Sequence, residues 1–236
     1  MTVVELLKKI TKEEWIFVTK IAFLLICVTT FPYLYGYLFK PKGSHFIGAP
    51  LVNWGDYLNY FSWIEQAKQG KILFKNFASS EPQKDIFFNL FFLFLGRVAK
   101  ILNISPFAVF QIVRILFIPF FLIISYVFIS YFLNKKEREI SFILLLFSSG
   151  LGVWASVFSL IFLKKIIIFP DFWIPEAISF LTLYLNPLHI LSVTLLILIF
   201  LLFLIFLEKK KIKYLIFAGL IFLFLSQIHP YTIPIV

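Results

Sequence analysis

The sequence predicts an all-α protein, a polytopic transmembrane helical bundle with about five spans and an outer-face loop carrying interfacial amphipathic helices. Three observations predict it. The 236 residues are 61% hydrophobic and only 14% charged, with a mean hydropathy of +0.96, far from the composition of a soluble domain. Apolar runs close to the roughly 20 residues that cross a bilayer recur along the chain. The lysines cluster between these runs, so the formal charge of +10 reflects topology and anionic lipid headgroups and gives no reason to expect a nucleic-acid partner.

The first span, about 15–39, follows MTVVELLKKITKEE, a short amphipathic stretch whose lysines place it in the cytoplasm. Its length and flanks mark an anchor, not a removable signal peptide. Cys27, the single cysteine, lies within it, so disulfides within the chain and cysteine-based metal sites are excluded. Residues 40–105 form the first outer loop. Within it, 86–102 are expected to lie along the membrane face, with Asp85 starting that helix; a crossing there would put both NKKERE and EKKKIK outside. Four further spans follow at about 106–133, 140–163, 188–207 and 214–233. Residues 1–236 read as one transmembrane domain. The ending IHPYTIPIV, without a charged terminator, suggests the N-terminal part of a longer chain.

Functional candidates gather on the outer face. In NWGDYLNYFSWIEQAKQG, the spacing of Trp54, Leu58, Phe61 and Ile64 predicts an interfacial helix with an apolar stripe. Asp56 falls in its first turn, where the helix dipole favours the ionised carboxylate expected of a general base; taken alone, it is also a simple helix-start acid. Glu81 in SSEPQKD is either a second acid or a metal or phosphate-partner site, or else an exposed loop residue. Arg114, about eight residues inside the second span, is costly there unless paired. It is a candidate for bidentate contact with a lipid-linked phosphate, or else it snorkels to the headgroups. Glu176, His189 and His229 fall near the outer ends of the fourth and fifth spans and suggest a shared cavity. His45 sits in a loop and has no assigned role. Signatures for zinc hydrolysis, dinucleotide binding and ATP hydrolysis are absent.

In the order of these features the chain resembles the GT-C superfamily of integral-membrane glycosyltransferases. The resemblance rests on Asp56-Tyr57, the helix from Ile64 to Gly70, the juxtamembrane run containing LFLGRVAKILNIS, QIVRIL with Arg114, and FWIPEAISFLTLYLNPLHI. It implies sugar transfer from a polyprenyl-phosphate-linked donor to a lipid, glycan or protein acceptor, by a multi-pass protein of the cell membrane with an extracytoplasmic active face. The first-loop acid of the family, its proposed base, carries over to Asp56. Where such families commonly have paired acids this chain has Gly55-Asp56-Tyr57, so dependence on a divalent metal stays open and no ligand is assigned. On this reading Arg114 meets the donor phosphate, while Glu81, Glu176, His189 and His229 shape the substrate site. The alternatives are a transporter or flippase segment and an inactive truncated membrane protein.

Overall fold

The computed structural model describes residues 2–48, 54–167, 169, 171 and 174–235. Among these residues the structure is helical, with a single antiparallel bridge between Phe74 and Phe87 and no strand. Helix α1 (Val3–Lys9) and the long α2 (Lys12–Leu38) each begin with a capping box, Thr2 with Glu5 and Thr11 with Glu14, which satisfies amide groups that a helix start leaves unpaired. Helices α3 (Trp54–Lys68) and α4 (Leu90–Ile101) occupy the first loop. At 12 residues, α4 is about 18 Å long, too short to cross a bilayer. Its cap is Asn89, whose side chain accepts from the amides of Phe91 and Phe92. Asp85 instead pairs with Lys71 at 3.0 Å and Lys75 at 3.5 Å, so the expectation that it starts the helix is corrected.

Helix α5 (Pro106–Phe132) opens on Ser105 with proline in its first turn, where a missing amide hydrogen costs nothing. The third expected span is not one helix. It divides into α6 (Lys135–Phe147) and α7 (Gly152–Leu163). Serine and glycine at 148–150 are weak helix formers. Asp171 then seals the break: its carboxylate accepts the Gly152 amide at 2.7 Å and occupies the space that a Cβ on Gly150 or Gly152 would need. After α8 (Ser179–Leu185) comes α9 (Pro187–Lys209). The fifth expected span ends early, as α10 (Ile212–Ile228) with His229 at its C-cap. Pro230 cannot donate to the helix ladder, and a 3₁₀ turn over Pro230–Ile235 follows.

Helices α2, α5 and α9 are long and apolar enough to cross a membrane. This is a membrane protein. Two apolar clusters hold the bundle together, and α5 and α9 run through both. One joins them to α3, α4 and α10, the other to α1, α2 and α6. The buried face of α3 differs from the expected stripe. Tyr57, Ile64 and Ala67 are buried while Leu58 is exposed, because α3 packs against α4, and a Cβ on Gly96 of α4 would overlap Ala67. Tertiary packing has overridden the simple wheel.

One end of the bundle is basic and tied by ion pairs. Lys209 meets Glu5 at 3.8 Å and Lys135 meets Glu13 at 3.6 Å. Beneath them Arg138 lies 3.2 Å from the Glu14 carboxylate, which also accepts from the Tyr126 hydroxyl at 2.8 Å. Both charges are buried. Removing one partner strands the other, so Arg138→Ala should lose about 3 kcal/mol of stability, whereas Glu14→Gln/Arg138→Met, which removes both charges, should lose far less. Denaturant unfolding of the two variants in detergent checks the contrast.

Candidate functional site

At the opposite end of the bundle a cavity of about 660 Å³ opens between α3, the start of α4, the start of α9, the end of α10 and the turn Pro175–Ala177. Local sequence explains each wall. Asn186 caps α9 by accepting the Leu188 amide at 2.9 Å, which leaves His189 in the first turn of the helix. His229 is placed by the stop of α10, its backbone amide bonding to the Leu225 carbonyl at 2.8 Å. Asn89 ties the two sides together, donating to the Ile228 carbonyl at 2.9 Å while capping α4. On α3, Asp56, Tyr60 and Trp63 follow at helical spacing and line the same space.

The polar groups converge on Glu176. Its Oε1 lies 3.4 Å from His189 Nε2 and 3.6 Å from His229 Nε2. The two imidazoles stand nearly edge to face, with centroids 5.5 Å apart. The His229 imidazole beside it draws the Glu176 carboxyl down to about 2, against the opposing effect of burial. Glu176 is therefore an anion at any ordinary pH. The Tyr60 phenol is pushed above its usual value, chiefly by burial, with the charges of Asp56 and Glu176 adding to the effect. It remains a neutral donor and acceptor on the wall. Tyr60, Trp63, Phe87, Phe92 and Tyr231 supply aromatic surface, and no lysine or arginine is found among the described residues lining the cavity.

Four of the six residues singled out in the sequence, Asp56, Glu176, His189 and His229, thus share one cavity. Glu81 does not join them. It is exposed in the loop between α3 and α4, its backbone amide bonded to the Ser79 hydroxyl at 3.3 Å. Arg114 does not reach the cavity either. It is fully buried in α5, where it donates to Gln111, Thr29, Thr30 and the Leu183 carbonyl at 2.8–3.1 Å. The guanidinium also stacks over the Tyr33 ring at 5.0 Å. It clamps α2, α5 and α8 together, so the contact with a donor phosphate expected of it has no geometric support. Residues 172 and 173 of the FWIPEAISF stretch lie outside the described residues.

Sequence reasoning passed over Tyr60, Trp63, Asn89 and Tyr231. Aromatic residues in a chain this apolar look like packing, and the helix-start signal at Asn89 was the one legible clue. Known proteins add nothing further: no family model, curated protein or solved structure matches this chain.

Proposed function

We propose that this chain is a membrane glycosyltransferase, moving a sugar from a polyprenyl-phosphate donor to an acceptor hydroxyl. The observation that supports it best is the make-up of the cavity, where an exposed carboxylate, Asp56, stands beside an aromatic wall at the end of the membrane-crossing helices. Aromatic faces suit the apolar faces of a sugar ring, while carboxylates and amides suit its hydroxyls. The position lets a sugar enter from water while its polyprenyl tail stays in lipid. On this reading the cavity faces the extracytoplasmic side of the cell membrane, which the positive-inside tendency supports because the loops NKKERE and EKKKIK lie at the other end.

The chemistry asked of these residues is a single displacement. The acceptor oxygen bonds to the anomeric carbon as the bond from that carbon to the phosphate oxygen breaks. The electron pair leaves with the polyprenyl phosphate, and Asp56 takes the hydroxyl proton. One displacement inverts the anomeric centre. A flippase path would call for polar groups distributed through the depth of the bundle, and this cavity stays at one end.

The test is transfer from a panel of radiolabelled polyprenyl-phosphate sugars in membranes containing the chain. Transfer from at least one donor supports the reading. Silence from every donor, with the protein shown to be folded and inserted, removes it.

A further inference from the structure

We propose that Glu176, His189 and His229 form a binding site for a divalent transition metal, with zinc the ion that fits best. The three come from separate segments, the turn before α8, the start of α9 and the end of α10. Each presents one ligand atom, and these atoms all lie within 4.8 Å of one another.

The spacing is what distinguishes a metal site from a simple ion pair. A charge-assisted hydrogen bond between imidazole and carboxylate closes to about 2.7–2.9 Å. The separations of 3.4 and 3.6 Å are longer than that. These two edges lie close to the edge of a tetrahedron drawn with zinc bonds of 2.0–2.1 Å, about 3.3–3.4 Å; the three ligand atoms together span no more than 4.8 Å, so a bound ion would draw the two imidazoles closer. An octahedral magnesium site at similar bond lengths has a shorter edge, about 2.9 Å, and takes oxygen ligands in preference to imidazole. Two histidines and one carboxylate are also the donor set of open zinc sites, which leave the fourth position to water or substrate.

Burial adds a second, independent argument. His229 is more than nine-tenths buried, and Nδ1 of both imidazoles is buried with no hydrogen-bond partner among the described residues. Buried imidazoles are ordinarily satisfied through both nitrogens. Through Nε2 both rings face only the Glu176 carboxylate, at 3.4 and 3.6 Å, which leaves the two Nε2 atoms open to a shared ion, while the Nδ1 atoms lie on the far side of each ring and would not touch it.

A third argument rests on the glycosyltransferase reading. A phosphate-linked donor would bring further negative charge to a cavity that already holds the carboxylates of Asp56 and Glu176 and, among its described lining residues, no lysine or arginine. Arg114 is engaged elsewhere. A divalent ion, when bound, supplies the missing positive charge for a phosphate oxygen. The first two arguments, and the test below, do not depend on this one.

The sequence makes the experiment clean, because the chain has only three histidines and one cysteine. The whole chain is purified in detergent through an affinity tag without histidine, stripped with a chelator, and titrated with zinc alone against a competing chromophoric chelator. The wild type should take up about one zinc per chain. His229→Asn and Glu176→Gln should each weaken uptake at least tenfold, and His45→Ala, in the loop away from the cavity, should leave it unchanged. Thermal unfolding without metal shows whether each variant is folded. Should His229→Asn fail to fold, Glu176→Gln, the more exposed position, decides alone. Absence of stoichiometric zinc in the folded wild type, or equal uptake by wild type and Glu176→Gln, overturns the site. Either result leaves the glycosyltransferase reading to its own donor panel.

Discussion

Asp56→Asn is expected to lower sugar transfer by about 10²–10⁴-fold, the range that a positioned general base contributes, while leaving the fold intact. The substitution is nearly isosteric, and Asp56 is exposed in the first turn of α3, so no buried network is broken. The helix contacts that place it, Tyr57 donating to the Leu185 carbonyl at 2.6 Å and the close packing of Ala67 on Gly96, are untouched. The loss should therefore appear in kcat, with the donor KM little changed, since the carboxylate acts on the acceptor proton and not on the donor. Parallel unfolding curves for wild type and variant exclude instability as the cause. Full transfer by the variant would remove Asp56 as the base. A rise in donor KM without a fall in kcat would make it a sugar-binding group.

The features legible in the sequence were those set by composition and local chemistry. Helices α2, α5 and α9 follow from the length of their apolar runs, and their starts from capping side chains followed by proline or glutamate. The division of the third run into α6 and α7 was not legible. Serine and glycine at 148–150 only weaken the helix locally; the break is sealed by Asp171, some twenty residues further on, whose carboxylate settles against two glycines. In the same way the wheel of α3 could show a helix but not its buried face, which α4 decides. For the site, charge topology grouped Asp56, Glu176, His189 and His229 at one end of the bundle. It could not reveal that the last three meet within hydrogen-bond-like distances, because that depends on where α9 begins and α10 stops. Arg114 is the clearest limit. A buried arginine announces a partner, and nothing in its own segment says whether that partner is a substrate or three neighbouring helices.

That ambiguity can be resolved with two substitutions at one position. Arg114→Ala should lose about 3 kcal/mol or more of stability, because it empties a buried volume between α2, α5 and α8 and leaves the Leu183 carbonyl without its donor. Arg114→Met keeps most of the volume and removes the charge. Its cost should be smaller because no cavity opens, and comes from two buried acceptors left without a donor, the Leu183 carbonyl and the Gln111 amide oxygen, at about 1–3 kcal/mol each, since Thr29 already donates to the Leu25 carbonyl at 2.6 Å and does not depend on the arginine. A clamp thus predicts a graded loss of stability with the donor KM of the folded Met variant unchanged. A phosphate-binding arginine predicts the reverse, a donor KM raised more than tenfold in a Met variant of nearly normal stability. Chemical denaturation and transfer kinetics on the same preparations separate the two. With the guanidinium held by Thr29, Thr30, Gln111 and Leu183, the expected outcome is the graded loss of stability.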